Sequence, residues 1–178
     1  MKLKLLILVL SLQTAWILGT SIFQERALAV GKLVLLETLP VDPRDLLRGD
    51  YLILNYKISD VRMDRFPPSQ TNGVAAGKNV YVALQQRGQF YEVVRASTEK
   101  LKPEDGEVIL KGRSKDWWNA STQATVHVEY GLERFYVREG TGNPAGKITI
   151  QVAVAASGQA RIKEAYLNGK PYVQALKR

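Results

Sequence analysis

The chain is predicted to be all-β, an antiparallel sandwich or open barrel following one N-terminal transmembrane helix. Three observations carry that class. A charge-free run from Leu5 to Gln24 opens the chain. From Gly31 onward, short apolar runs alternate with Gly-containing turns, and no long helical pattern interrupts them. Several of these runs alternate apolar and polar residues with period two on either side of a tight turn, as hairpins with one buried face do.

Lys2 and Lys4 precede the apolar run. A helix of about 20 such residues crosses a hydrocarbon core of about 30 Å. Positive charge ahead of the run and mixed charge behind it put the N-terminus in the cytoplasm and the rest of the chain outside. Ala27-Leu28-Ala29 is an A-x-A pattern, so secretion with cleavage after Ala29 is the alternative. The run is longer than a usual signal core, and Glu25 and Arg26 lie between it and that cleavage site, which favours an uncleaved anchor. The expected division is an anchor over residues 1–29 and an extracytoplasmic β domain over 30–178.

The strands follow in order. Lys32 to Leu39 is rich in Val and Leu. Tyr51 to Ile58 sets Tyr51, Ile53 and Asn55 on one face and Leu52, Leu54 and Tyr56 on the other. Asn79 to Gln86 places Val80, Val82 and Leu84 together, and Arg87-Gly88-Gln89 turns it into Phe90 to Ala96 as a hairpin. Val108 to Gly112 and Ala124 to Tyr130 are two further strands. Lys147 to Ala156 and Ala160 to Leu167 flank Ser157-Gly158-Gln159, a second hairpin, and Asn168-Gly169 starts a third turn before Pro171 to Gln174. Between them, Val61 to Lys78 shows no clear element, Ser97 to Glu107 is a polar connection, and Leu132, Phe135 and Tyr136 suit the apolar side of one helical turn.

Composition narrows the function. The net charge of +8 falls to +6 when residues 1–29 are set aside, with 22 basic against 16 acidic residues. The basic residues are scattered, whereas nucleic-acid binding needs a stripe or patch, so no nucleic-acid partner is expected. The chain has no cysteine, hence no disulfide, thiolate metal site or thiol nucleophile. No cofactor motif is present. His127 is the only histidine; it shares a strand face with Thr125 and Glu129 and reads as a solvent-side residue. Without a second histidine, a zinc site would need three carboxylates, so no metal is expected.

The densest cluster of turn residues is PVDPRDLLRGDYLILNY, Pro40 to Tyr56. Asp42 before Pro43 is pushed to an extended shape, and Pro43 pre-sets a turn. Asp45 can bond the local backbone, Gly49 permits a tight bend, and Arg44 and Arg48 are aimed outward. Two readings stand side by side. In one these residues build a rigid turn with a local salt bridge. In the other Arg44, Arg48, Asp50 and Tyr51 present a recognition surface, since an arginine fork suits carboxylate or phosphate. Arg48-Gly49-Asp50 spells an adhesion tripeptide but sits at a strand entrance. Asn119-Ala120-Ser121 is a glycosylation sequon relevant only in a eukaryotic secretory route. Trp117-Trp118 is either an aromatic lip or a core plug with an edge cover.

Gly49-Asp50-Tyr51, followed by four residues and Tyr56, resembles the signature of the GDYXXXXY family. Asp42-Pro43-Arg44-Asp45 resembles the family too, as does Tyr130-Gly131-Leu132-Glu133 with Phe135, Tyr136, Glu139 and Gly140. The resemblance runs from the anchor to the end of the chain. It implies a small bacterial membrane-anchored protein, encoded beside a polytopic membrane protein that would be its partner. It implies no catalytic residues.

The function expected on these grounds is a non-catalytic accessory or binding module working with a membrane-protein partner or an envelope component. Its contact surface is expected over the Asp42 to Tyr56 segment, with Asp42, Arg44, Asp45, Arg48, Gly49, Asp50, Tyr51 and Tyr56, and over the Gly131 to Gly140 block, with Glu133 as a counter-charge. The alternative is an envelope hydrolase acting on peptide or glycan with Asp50, Glu133 or Glu139 as acid or base, because such chemistry needs paired carboxylates.

Overall fold

The computed structural model describes residues 2–39, 51–70, 74–115, 125–137 and 146–175. Helix α1 runs Lys2–Ala29. At 1.5 Å per residue it is about 42 Å long, more than a hydrocarbon core requires. Lys4–Ser21 within it has a mean hydropathy of 1.4, and none of that window is buried against protein. Its polar side chains are partly satisfied from within: Thr14 donates to the Leu10 carbonyl at 2.9 Å and Thr20 to the Trp16 carbonyl at 3.0 Å.

Eleven strands follow among the described residues: β1 Lys32–Glu37, β2 Tyr51–Ile53, β3 Asp60–Arg62, β4 Asn79–Arg87, β5 Phe90–Ser97, β6 Glu107–Lys115, β7 Thr125–Glu129, β8 Arg134–Tyr136, β9 Ile148–Val154, β10 Ala160–Leu167 and β11 Lys170–Pro171. They form a four-stranded sheet ordered β1-β9-β10-β11, a five-stranded sheet ordered β3-β7-β6-β4-β5, and a two-stranded ribbon of β2 and β8. Every pairing is antiparallel. The all-β sandwich or open barrel is the observed class.

Alternation explains which faces meet. Val34 and Leu36 of β1, Val80, Val82 and Leu84 of β4, Leu110 of β6, Val128 of β7, and Ile150 and Val152 of β9 are all buried and form one core. Each such side chain contributes about 1.5–3 kcal/mol relative to exposure, which outweighs any single surface contact. The sheets also meet by backbone: Lys111 donates its N–H to the Gly158 carbonyl at 2.8 Å. The hairpins are where the turn residues put them. Gly88 has φ 64° in the β4–β5 turn, and Asn168 and Gly169 have φ 52° and 78° in the β10–β11 turn, as a two-residue type I′ loop needs.

Four expectations give way. Val61 to Lys78 is not featureless: β3 starts it, and short 3₁₀ turns cover Met63–Arg65 and Pro68–Gln70. The second turn is pinned by Gln70, whose side-chain oxygen accepts the Thr98 N–H at 2.9 Å. Pro171 to Gln174 is not a strand, because β11 stops at Pro171 and Tyr172–Ala175 forms the short helix α2. That turn tucks Tyr172 edge-on against Phe135, ring centroids 5.6 Å apart. Residues Arg134–Tyr136 are strand rather than helical turn, because β2 offers them a ladder. His127 is not solvent-side. Asp60 of β3 lies opposite it, its Nδ1 is 2.7 Å from Asp60 Oδ1, and its side chain is only 12% exposed. The last correction follows from the first, since β3 is the strand that covers it.

Candidate functional site

The two motif blocks, Tyr51 to Tyr56 and Tyr130 to Tyr136, are adjacent in space. β2 and β8 pair with Tyr51 opposite Tyr136, Leu52 opposite Phe135 and Ile53 opposite Arg134. Beyond Ile53 the chain leaves this ladder. Leu54 donates its N–H to the Glu133 carbonyl at 2.7 Å, and the Asn55 carbonyl accepts from Leu39 N–H at 2.7 Å. Thr38 then bridges to Tyr56. The expected strand from Tyr51 to Ile58 is therefore three residues of strand followed by a crossing segment, although its in-out alternation runs unbroken through Ile58.

Two tyrosines lock the blocks reciprocally. Tyr56 donates its hydroxyl proton to the Leu132 carbonyl at 2.7 Å, and Tyr130 donates to the Ile58 carbonyl at 2.7 Å. Each block thus reaches into the backbone of the other. Burial pushes both phenols far above their ordinary value, and the nearby Glu133 carboxylate pushes them the same way. They stay protonated, which is the state that donates. Glu133 closes the second turn: its Oε1 accepts the Tyr130 N–H at 2.6 Å. Between them Gly131 takes φ 76°, a conformation that favours glycine.

Gly112 makes room for this arrangement. A Cβ there would stand 2.4 Å from Val128 Cγ1, 2.7 Å from the Glu129 carbonyl oxygen and 2.9 Å from the Tyr130 ring. A glycine inside a strand pattern signals such a close approach, and that signal was present in the sequence.

The other face of the ribbon points outward. Tyr136 is 71% exposed and its ring centroid is 6.0 Å from that of Tyr51. The Arg134 guanidinium lies 5.5 Å from the Tyr51 ring centroid, within cation–π range. Arg134 pairs with none of the described carboxylates. Arg134 and Tyr136 fall inside the expected Gly131 to Gly140 block, although neither was singled out by itself. Their signal was the alternation of Arg134, Phe135 and Tyr136, which mirrors Tyr51, Leu52 and Ile53.

Tyr51, Tyr56 and Glu133 therefore come together, but in different roles. Tyr51 faces out. Tyr56 is 0% exposed and belongs to the core rather than to a contact surface. Glu133 is half-buried and engaged with backbone. Asp42, Arg44, Asp45, Arg48, Gly49 and Asp50 lie outside the described residues, as do Glu139, Gly140, Trp117, Trp118 and Asn119. Among the described residues no group of three or more His, Asp or Glu is placed to hold a metal ion.

A family model described as GDYXXLXY protein matches residues 13–164. The letters of that name fall on Gly49, Asp50, Tyr51, Leu54 and Tyr56. Leu54 and Tyr56 are core positions of the crossing segment, and Tyr51 opens β2 with its ring beside Tyr136. No curated protein and no solved structure matches the chain.

Proposed function

The chain belongs to the GDYXXLXY family, and from that premise we propose that it is a membrane-anchored, extracytoplasmic binding module without catalytic activity. It acts with a membrane-protein partner or an envelope component. α1 is the uncleaved anchor, with its N-terminus in the cytoplasm. The contact surface comprises the outward face of the ribbon, Tyr51, Arg134 and Tyr136, and the Asp42 to Asp50 segment that leads directly into Tyr51.

The observation that supports this reading best is the pairing of an exposed aromatic with a cation that meets no described carboxylate. Tyrosine and arginine bind at low entropic cost and are over-represented where partner contacts carry most energy. The buried tyrosine pair beneath holds the ribbon in one shape, so the face is preorganised.

The test is affinity purification of the tagged full-length protein from its own membranes in mild detergent, with mass spectrometry of what accompanies it. A stoichiometric membrane-protein partner is expected. Tyr136→Ala and Arg134→Glu should each lower its recovery about 5–30-fold, matching the 1–2 kcal/mol usual for such contacts. Arg44→Ala and Arg48→Ala should lower it too, with the melting temperature unchanged. Equal recovery from all four variants would remove this surface from consideration.

A further inference from the structure

The chain builds a second feature directly after α1, away from the ribbon. Val30 and Gly31, which join α1 to β1, form one wall of a cavity of about 260 Å³. Leu101 and Pro103 form another, and Val108 and Val154 line it from the two sheets. Two exposed lysines, Lys32 and Lys100, border it. Lys32 Nζ lies 3.4 Å from the Gly106 carbonyl across the mouth.

Charge within this cavity is one-sided. Its only acid among the described lining residues is Glu107. That carboxylate accepts from Arg95 Nε at 3.0 Å, from an Arg95 terminal nitrogen at 2.6 Å and from the Glu104 N–H at 2.8 Å. It is fully occupied, so it leaves the two lysines without a counter-charge in the cavity. Beside them stands an apolar side chain with little cover: Val30 is 88% exposed.

Position supplies the remaining argument. Lys32 is three residues beyond Ala29, the last residue of α1. Three residues span at most about 11 Å. The headgroup layer outside a bilayer core is about 5–8 Å deep on each side. At about 42 Å, α1 is about as long as the whole bilayer with its headgroups, about 40–45 Å, so with α1 across the membrane the cavity mouth comes within about 11 Å of the headgroup layer.

We propose that this cavity takes the phosphate and glycerol end of an anionic phospholipid from the bilayer that α1 spans, with Lys32 and Lys100 on the phosphate. Val30 and Leu101 meet the first methylenes of the acyl chains. A lysine suits this task because its compact charge meets a phosphate oxygen from many directions. The inference rests on α1 being a retained anchor.

The experiment places the intact protein in nanodiscs of phosphatidylcholine alone or with about one-third phosphatidylglycerol, an anionic fraction that gives a strong surface potential. Native mass spectrometry reads retained lipid, and hydrogen exchange reads the amides of Leu101 to Ile109. Retained phosphatidylglycerol and slower exchange only in the anionic discs are expected. Lys32→Glu and Lys100→Glu should each weaken retention about fivefold, and Lys163→Glu, a charge-matched change on β10, should not. Soluble glycerol phosphate in excess should not displace the lipid; displacement would mean a free-phosphate site and overturn the assignment. Equal exchange in both discs overturns the lipid proposal while leaving the anchor intact. A chain whose mass begins at Val30, or that fails to enter discs, overturns the anchor reading and the lipid proposal together.

Discussion

At the residue scale, the reciprocal tyrosines decide more than their number suggests. Tyr56→Phe would keep the ring in place and remove one donor, leaving the Leu132 carbonyl buried without a partner. Such a change costs about 1–3 kcal/mol. Chemical denaturation should therefore show a lowered midpoint with an unchanged slope, and Tyr130→Phe should behave alike through the Ile58 carbonyl. Gly112→Ala is the harsher change, since one methyl would press on Val128, the Glu129 backbone and the Tyr130 ring at once. Overpacking of that kind costs about 1–3 kcal/mol and displaces what it touches. It should destabilise the fold and disturb the ribbon surface together, seen as a lowered melting temperature and as amide shifts in β8.

At the element scale, the connection between β5 and β6 is tied by charge. Arg95 of β5 holds Glu107 of β6 through two hydrogen bonds, and the Glu107 side chain is only 7% exposed. Those bonds lower the Glu107 carboxyl below its ordinary 4.5, against the opposing pull of desolvation. A carboxylate with a depressed folded value adds stability above its unfolded pKa and loses it as pH falls through the folded one. Glu107→Gln should then cost about 1–3 kcal/mol at neutral pH. The difference from the parent should shrink as the pH falls below the ordinary 4.5 and through the lowered folded value, and denaturation at a series of pH values would show it. A constant difference down to pH 2 would mean that the charge contributes nothing and that shape alone matters. The β10–β11 turn is set differently, by backbone geometry: Asn168 and Gly169 both take positive φ, and Asn168 Oδ1 accepts the Lys147 N–H at 2.9 Å.

At the scale of the whole molecule, an apolar helix without protein cover precedes a β core that is complete without it. The core residues come from the strands, their connections and Tyr172 of α2, and among the described residues none comes from α1. A retained anchor predicts that alkaline carbonate leaves the protein in the membrane pellet and that its intact mass includes Met1 or Lys2. Release to the supernatant with a chain starting at Val30 would make α1 a signal segment instead. The ribbon and the lipid-facing cavity are separate features of this layout, one built from the motif blocks and one at the junction with α1.

The sequence by itself determined the class, most of the longer strands, the hairpin turns and the inward faces of the runs around Leu54, Val82 and Val128. Those are local properties: side-chain period and turn chemistry act within a few residues. It also showed which two blocks were unusual. Only the tertiary structure decided that these blocks pair, because the bonds joining them link residues 76 and 72 positions apart. The same holds for β3 and His127, read as loop and solvent side until β7 and Asp60 were seen together. A three-residue strand has too few alternations to be told from a loop, and its partner, not its own composition, makes it a strand. Tyr56 shows the limit most clearly. Its period placed it opposite Tyr51, but only the Leu132 carbonyl waiting in the core gave its hydroxyl a reason to be there.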